Sequence, residues 1–368
     1  MNTATCSREN VSMRRFHELL RDFFDSGTVR AASYGPHFER MWELAGRSVS
    51  GGKLVRPRLL MESYDALTSD DAWSSVGTAA EAPDEVARLA LGVELLHYAF
   101  LLHDDVIDGD LLRRGRPNLI GAMLDDTDAS LTDVPRSLHW AQTCGILMGD
   151  LLLSATHQIF ARAAVSDTVR HRLLDLLDET ILDSVAGEQI DVGLSVAVVA
   201  PELSTILDMT TRKTATYTFE LPLRMAAVLS GTSPVVERRL GEIGRHLGLG
   251  FQLQDDLMSA FGDPARHGKD LYSDLREGKQ TAIIAAARMT HTWPRIEALW
   301  EKPALSRADA ARISALLVDC GAQARVLELA EQELRAAARL IDASPDELPQ
   351  ATRRVLRDLV AQLRGRCA

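Results

Sequence analysis

The chain has 368 residues, of which 46% are hydrophobic, enough to bury a large core in one domain or in two smaller ones. Asp and Glu number 52 against 41 Lys and Arg, and the net charge of −11 makes the chain a poor candidate for binding nucleic acid or an anionic membrane. We expect a soluble, cytoplasmic protein, because no uncharged apolar run reaches about 18 residues and no signal-peptide pattern begins the chain. The four cysteines are far apart in the chain, so we expect a reducing compartment and no zinc site.

The spacing of apolar residues predicts helices nearly throughout. Helical periodicity runs through EVARLALGVELLHYAFLLHDDVID, TVRHRLLDLLDETILDSVAGEQIDV, ERRLGEIGRHLGLGFQLQDDLMSAF and AARISALLVDCGAQARVLELAEQELRAAARLIDA. The breaks are rich in Gly and Pro, as in SVSGGKLVRP, RRGRPN, SGTSP and FGDPARHGKD. Because no segment resembles an interdomain linker, we predict an all-α, single-domain helical bundle over residues 13–368, after a flexible N-terminus of residues 1–12.

Carboxylates follow the first of these apolar helices. In LLHDDVIDGDLLRRGRPN, Asp104 and Asp108 are four residues apart, so a helix would place them on one face about 6 Å apart. Oxygen donors of this kind suit Mg²⁺, which takes one or two protein carboxylates and leaves positions for water and phosphate oxygens. The alternative is an acidic helix end that is simply solvated.

A second acidic pair, Asp255 and Asp256, comes at the end of another apolar helical stretch, GFQLQDDLM. Two such clusters on facing helices of a bundle would repel each other unless cations lay between them. A third acidic stretch, DDTDASLTDVP, has no apolar helix around it and is predicted to be an exposed loop. The two helical clusters therefore predict a metal site.

Basic side chains accompany both clusters. They are Lys53 and Arg56 in GGKLVRP, Arg113 and Arg114 beside the turn at Gly115 and Pro117, Lys213 next to Thr214, and Lys269 and Lys279. Each of them alone fits an ordinary solvated surface cation. Together with the carboxylates they indicate phosphate recognition, because Arg binds phosphate bidentately and Lys adds a point charge. The carboxylates could bind one diphosphate through Mg²⁺. A separate set of basic side chains, Lys53, Arg56 and Arg114, could bind a second diphosphate directly.

The motifs resemble those of the trans-isoprenyl diphosphate synthases, or polyprenyl synthetases, over about residues 45 to 290. In chain order they are GGKLVRP, HDDVIDGDLLRRGRP, GEQIDV, KTA, FQLQDD and DLREGKQT, of which the first two match the family's GGKxxRP and DDxxD patterns. The resemblance implies an all-α fold of the isoprenoid synthase type around a central cavity, a homodimer, and condensation of isopentenyl diphosphate with an allylic diphosphate such as dimethylallyl, geranyl or farnesyl diphosphate.

The resemblance also implies a role for each matching residue. Three Mg²⁺ ions per active site would be held by Asp104, Asp108 and Asp255. The allylic diphosphate would be held by Arg113, Lys213 and Lys269, with contributions from Thr214 and Gln252. Isopentenyl diphosphate would be held by Lys53, Arg56, His97 and Arg114. His97 precedes Asp104 by seven residues, about two helical turns, and so shares its face; the alternative is a buried histidine bonded to a backbone carbonyl.

One motif departs from the family pattern. The second aspartate motif reads DDLMS, with Ser259 at its last position, and Asp263 lies slightly too far along to replace the missing aspartate. Because Asp255 carries the metal contact in the family, we expect activity to persist. The variant motif, with KTATYTFELPL and FGDPARHGKD, resembles actinobacterial geranylgeranyl diphosphate synthases of carotenoid pathways.

The length of the product should depend on the helix that precedes Asp104. In the family, aromatic residues four and five positions before this aspartate close the pocket after fifteen carbons, and here Phe100 is aromatic but Ala99 is small. We therefore expect the twenty-carbon geranylgeranyl diphosphate. Alternatively Phe100 is ordinary core, and the pocket is closed by one of a second set of residues, Leu96, Tyr98, Leu147 and Leu151.

The predicted function is a prenyltransferase of the geranylgeranyl diphosphate synthase type. A farnesyl or longer-chain synthase remains an alternative. A class I terpene cyclase would share the carboxylates but handles a single diphosphate, so it would not need Lys53, Arg56 and Arg114 together. A non-catalytic partner subunit would tend to have lost motif residues, and only Ser259 is unusual here.

Overall fold

A computed structural model describes residues 3–49, 53–69, 83–113, 115–126, 134–262, 272–300 and 305–366. Its helices are α1 (Thr3–Ala31), α2 (Pro36–Val49), α3 (Val55–Thr68), α4 (Pro83–Asp108), α5 (Leu119–Asp125), α6 (Val134–Ala161), α7 (Asp167–Ser195), α8 (Leu203–Thr210), α9 (Leu221–Leu229), α10 (Pro234–Phe261), α11 (Ser273–Arg276), α12 (Ala282–Arg288), α13 (Trp293–Trp300), α14 (Arg307–Asp319), α15 (Ala322–Asp342) and α16 (Gln350–Arg364). A π-helical segment, Thr211–Glu220, joins α8 to α9, and a 3₁₀ turn, Ala32–Tyr34, follows α1. Two-residue strands, β1 (Leu112–Arg113) and β2 (Arg116–Pro117), are the only strands among the described residues, so the all-α prediction is confirmed.

Polar residues and prolines start several helices where the sequence predicts breaks. Asn118 precedes α5, and its side-chain oxygen accepts a hydrogen bond from the backbone nitrogen of Gly121 at 2.8 Å. Ser233 does the same for α10, whose first residue is Pro234. These caps satisfy backbone donors that a helix leaves unpaired at its first turn. The predicted turn at Gly115 is also confirmed, because this residue has a φ of 72° between the paired strands.

The chain forms two compact units. Unit 1 comprises Met1–Asp175 and Met225–Thr232, and unit 2 comprises Leu176–Arg224 and Ser233–Ala368. The chain passes from one unit to the other within α7 and again within α9. The predicted single domain over residues 13–368 and the flexible residues 1–12 stay predictions.

Close helix packing builds unit 1 around α4. Helix α6 runs antiparallel to α4, and glycines allow the two to approach: a Cβ on Gly149 would overlap the ring of His103, and one on Gly92 would press on Phe160. The Oγ1 of Thr156 also donates to the Gly92 carbonyl at 3.2 Å. Helix α4 is thereby fixed along its length, which sets the position of the carboxylates at its end.

Unit 2 packs α10 against α15 and the π-helical segment. Gly248 of α10 meets Ala215, and Gly244 meets the backbone of Glu220, so closely that a Cβ at either glycine would overlap the segment. The core beneath is apolar and includes Leu253 of α10. The π-helical segment is thus held rigidly by α10, which carries the second aspartate pair.

Two helices are long and apolar enough to cross a bilayer by length and composition alone. They are α4 from Asp84 to Asp108, whose most apolar window is 72% buried inside the protein, and α6, whose window is 39% buried. A core helix of a soluble protein passes the same test, and the burial of α4 fits that description. The soluble state and the cytoplasmic location stay predictions.

Candidate active site

The first aspartate cluster lies in the last turns of α4, as predicted. Asp104 and Asp108 are both helical and four residues apart, and the helix ends at Asp108, before Gly109 with its φ of 74°. The side chain of Asp104 is 20% exposed, and Asp108 is exposed. The pair therefore stands at the edge of the core and is open to a ligand.

The β1–β2 turn brings Arg113 back onto this cluster. Its Nη2 lies 2.5 Å from Oδ1 of Asp105 and 3.4 Å from Oδ2 of Asp104. Burial raises the pKa of Asp105 to about 6, and the charge of Arg113 opposes that rise. Arg113, predicted to hold a diphosphate, is thus placed beside the predicted metal ligands. Arg114 lies outside the described residues.

The residues predicted to hold isopentenyl diphosphate occupy two elements of unit 1. Lys53 is exposed just before α3, and Arg56 is half-buried in its first turn. Between them, Leu54 has a φ of 48°, a left-handed conformation that non-glycine residues rarely adopt and that clusters at ligand sites. His97 is half-buried on α4, two turns before Asp104.

The two residues predicted to limit product length differ in burial. Ala99 is fully buried and Phe100 is half-buried on α4. Farther along unit 1, a cavity of about 560 Å³ is bounded by α1, α2, α4 and α6. Leu91 and Leu151 line this cavity, whereas Ala99 and Phe100 do not. Leu91 precedes Asp104 by 13 residues, about 20 Å along the helix axis.

In unit 2, Lys213 lies between two carboxylates of α7. Its Nζ is 2.6 Å from Oδ2 of Asp191 and 2.8 Å from Oε2 of Glu188. Gly187 allows this contact, because a Cβ there would overlap the backbone nitrogen of Lys213. Both carboxylates belong to the GEQIDV motif, but no role was predicted for either of them. The signal that could have found them is their spacing of three residues, which puts both on one helix face.

Helix α10 carries the second aspartate pair and the predicted Gln252. The Nε2 of Gln252 donates to Oδ1 of Asp256 at 2.8 Å. Asp255, the predicted metal ligand, is paired instead with Arg366, whose Nη2 lies 2.5 Å from its Oδ1. Arg366 was not predicted, since nothing in the sequence places the residues after α16 beside α10. Thr214 is half-buried in the π-helical segment.

Ser259, which departs from the family pattern, is fully buried on α10. Its Oγ lies 3.4 Å from the backbone nitrogen of Asp274, and its carbonyl accepts a hydrogen bond from Tyr272 at 2.9 Å. Ser259 therefore anchors the chain where it returns to α10 rather than offering a metal ligand. Asp263 and Lys269 lie outside the described residues.

The donor set suits a hard cation. Asp104 and Asp108 of unit 1, and separately Asp255 of unit 2, offer only carboxylate oxygens, and no three His, Cys, Asp or Glu side chains come together as a metal cage in the part of the chain that the structure describes. Mg²⁺ accepts that arrangement, because it takes one or two carboxylates and completes its shell with water and phosphate. The carboxylates of each unit therefore fit Mg²⁺ by the chemistry of their donors.

Comparisons with known proteins point to one family. The model of the polyprenyl synthetase family matches residues 39–317. A geranylfarnesyl diphosphate synthase of Aeropyrum pernix is 30% identical over 78% of this chain and 80% of its own. A short chain isoprenyl diphosphate synthase of Methanothermobacter thermautotrophicus is 29% identical over 65% of this chain, and the match spans only 63% of that relative's length.

Among solved structures, a geranylgeranyl pyrophosphate synthase of Corynebacterium glutamicum is similar over nearly its whole length. That protein was crystallised in complex with isoprenyl diphosphate and magnesium. It is 26% identical, with a TM-score of 0.84 over 97% of this chain and 98% of its own.

Proposed function

We propose that this chain, which belongs to the polyprenyl synthetase family, lengthens an allylic diphosphate by condensing it with isopentenyl diphosphate. The observation that carries the proposal is the junction of α4 and the β1–β2 turn. There a carboxylate pair stands at the end of a buried apolar helix, with Arg113 returned beside it. This junction therefore combines metal ligands, a phosphate-binding cation and an apolar helix that can contact a hydrocarbon chain.

Magnesium is the proposed cofactor, with three ions per active site. Asp104 and Asp108 would hold the ions on the allylic diphosphate, and Asp255 would hold a further one. When bound, Mg²⁺ stabilises the negative charge that develops on a departing diphosphate. The magnesium in the complex of the related Corynebacterium glutamicum synthase supports this assignment.

The cations of the chain hold the two substrates. Arg113, Lys213 and Lys269 bind the allylic diphosphate through charge-assisted hydrogen bonds, aided by Thr214 and Gln252. Arg113 and Lys213 already carry carboxylate partners, so each exchanges or shares a partner when diphosphate binds. These pairs hold the cations in place beforehand, which reduces the reorganisation that binding requires.

A second set binds isopentenyl diphosphate directly, without metal. It consists of Lys53, Arg56, His97 and Arg114. The isopentenyl double bond attacks the allylic carbon as its diphosphate departs, and the departing diphosphate accepts the proton that is then released. The protein orients the reactants and excludes the water that would otherwise quench the allylic cation.

The proposed product is geranylgeranyl diphosphate. Ala99 is small where a second aromatic residue would close the pocket, and Phe100 is half-buried beside it. A longer product is the second candidate, because Leu91 and Leu151 line a cavity of about 560 Å³ farther along α4; Arg30, Arg88 and Arg162 line the same cavity.

A homodimer is proposed as the active assembly. Helix α6 exposes Trp140, Ile146 and Leu147, which are 41%, 44% and 49% accessible. Large apolar side chains clustered on one exposed helix favour burial against a partner surface. A second copy of the chain is the partner that the family resemblance implies.

The product formed from each primer tests the function. Purified protein is incubated with isopentenyl diphosphate and with dimethylallyl, geranyl or farnesyl diphosphate, with and without Mg²⁺, and the products are identified by mass. We expect a twenty-carbon diphosphate from all three primers, only with Mg²⁺. Cyclised hydrocarbon with release of diphosphate would indicate a terpene cyclase, and absence of any product from the purified chain would indicate a non-catalytic subunit.

A further inference from the structure

The chain returns to α10 immediately after its last described helix. Helix α16 ends at Arg364, and the backbone nitrogens of Gly365 and Arg366 then bond to carbonyls of the helix at 3.1 Å each. One of these carbonyls belongs to Leu363, which is buried. Two bonds at the end of a helix hold the last residues weakly, so the exchange of these amides also depends on the contacts of the Arg366 side chain.

The guanidinium of Arg366 contacts two residues one turn apart on α10. Its Nη2 lies 2.5 Å from Oδ1 of Asp255, and its Cζ lies 4.2 Å from the centroid of the Phe251 ring. The side chains of Arg366 and Asp255 are only 18% and 17% exposed. A charge-assisted bond combined with a cation–π contact, largely away from water, distinguishes this pair from an ordinary surface ion pair.

We propose that Arg366 is an internal counter-ion of Asp255 that a divalent cation displaces. The inference rests on the proposed function only in taking Asp255 as a metal ligand. A metal ion would bind within about 2.1 Å of a carboxylate oxygen, and Arg366 already occupies Oδ1. The guanidinium and the cation repel each other, so docking of Arg366 and occupancy of Asp255 by metal oppose one another.

The docked guanidinium is incompletely satisfied, which makes it displaceable. Its Nη1 is buried and has no hydrogen-bond partner among the described residues. A buried donor without a partner lowers the stability of the docked state. Asp255 thus stays neutralised while the metal is absent, and Arg366 leaves when the metal arrives.

Thermodynamic linkage makes the effect reciprocal. If docking of Arg366 weakens metal binding by some factor, metal binding weakens docking by the same factor, and such couplings commonly amount to about 5- to 150-fold. Removing the guanidinium should therefore strengthen metal binding. The same change should abolish any response of the segment after α16 to metal.

The test uses Mn²⁺ alone as the probe and the full chain without substrate. Binding is followed by electron paramagnetic resonance, and docking by hydrogen exchange of the peptide that covers residues 350–366. In the unmodified protein we expect Mn²⁺ to accelerate exchange at the end of this peptide. Arg366→Gln should show fast exchange without metal and bind Mn²⁺ about tenfold more tightly at one site.

Two further variants complete the test. Arg364→Gln removes the same charge two residues away, from a pair with Glu331 at 2.9 Å, and should behave as the unmodified protein. Asp255→Asn should lose the Mn²⁺ response of the peptide, which separates this site from the carboxylates of α4. An unchanged exchange rate on adding Mn²⁺ to the unmodified protein, or equal Mn²⁺ affinities for Arg366→Gln and Arg364→Gln, would overturn the proposal.

Product assays on the same samples separate this inference from the proposed function. If product forms but the peptide does not respond to Mn²⁺, the counter-ion proposal fails and the prenyltransferase assignment stands. If the peptide responds in the expected way but no product forms with any primer, the proposed function fails and the competition at Asp255 stands.

Discussion

The side chain of Lys213 is held by Asp191, with 2.6 Å between Nζ and Oδ2. Gly187 of α7 makes this contact possible, because it lies against the backbone of the π-helical segment that carries Lys213. A second carboxylate, Glu188, approaches the same Nζ at 2.8 Å. A flexible lysine side chain normally samples many rotamers, and this cradle of two carboxylates fixes one of them. The cradle therefore positions the cation that we assign to the allylic diphosphate.

Removing one side of the cradle tests this role. Asp191→Asn should lower kcat/KM for the allylic substrate about 10- to 100-fold, because misplacing a binding group by about 1 Å costs on that order. The KM for isopentenyl diphosphate should change little. Asp183→Asn is the control, since Asp183 lies on the same helix and pairs with the neighbouring Arg212 at 2.9 Å. Equal losses in both variants would contradict a positioning role for Asp191.

Turnover should depend wholly on a divalent cation. Chelation should abolish it, and Mg²⁺ or Mn²⁺ should restore it. Asp104→Ala should lower turnover by about three or more orders of magnitude, because it removes a ligand of the cation that stabilises the transition state. Thermal unfolding should show that Asp104→Ala still folds. The control is Asp167→Ala, which removes a largely exposed carboxylate of unit 1 and should leave turnover unchanged. A near-normal rate for Asp104→Ala would refute the metal assignment.

The two basic sets should separate by substrate. Arg56→Ala should raise the KM for isopentenyl diphosphate about tenfold or more while affecting the allylic substrate little, because losing a charge-assisted bond costs about 1.5 kcal/mol or more. Lys213→Ala should do the reverse. Steady-state kinetics with each substrate varied in turn provide the measurement. Equal effects of both changes on both substrates would rule out two separate diphosphate sites.

Product length should respond to Ala99 and Phe100. Ala99→Phe should shorten the product to fifteen carbons, and Phe100→Ala should lengthen it beyond twenty, as measured by mass analysis of the diphosphates. Because Ala99 is fully buried, thermal unfolding must show that Ala99→Phe still folds. If neither change alters the product and Leu151→Phe shortens it, the cavity that Leu151 lines sets the length instead.

Assembly should depend on the exposed apolar side chains of α6, among them Leu147. Leu147→Glu should convert the proposed dimer to a monomer in sedimentation experiments, because a charge would then be buried at the interface. Met289→Glu is the matched control, since Met289 is 77% exposed and lies in unit 2, outside α6. A dimer that survives the change at Leu147 would place the interface on another surface.

Local patterns in the sequence predicted most of the helices, but not the break between α14 and α15, where Gly321 has a φ of 81°. The i, i+4 spacing of Asp104 and Asp108 and the turn at Gly115 depend on residues close in the chain, so periodicity and turn chemistry found them. The pairing of Arg366 with Asp255 joins residues 111 positions apart. No local pattern encodes such a contact, because it depends on how α16 and α10 pack.

The carboxylates around Lys213 show an intermediate case. Glu188 and Asp191 lie in the GEQIDV motif, yet their contact with Lys213 requires the close approach at Gly187. Glycine in a helix can signal such an approach, but it does not identify the element that approaches. The sequence therefore contained the residues of the cradle but not their partner.

The division of unit 1 into two stretches constrains how the protein acquires its structure during synthesis. Its second stretch, Met225–Thr232, is translated only after the intervening 49 residues of unit 2, Leu176–Arg224, have been made. Domains tend to fold as units while the ribosome is still working, beginning with the N-terminal one. Unit 1 is complete only when residue 232 has been synthesised, so a chain that ends at residue 175 lacks the second stretch of the unit, Met225–Thr232.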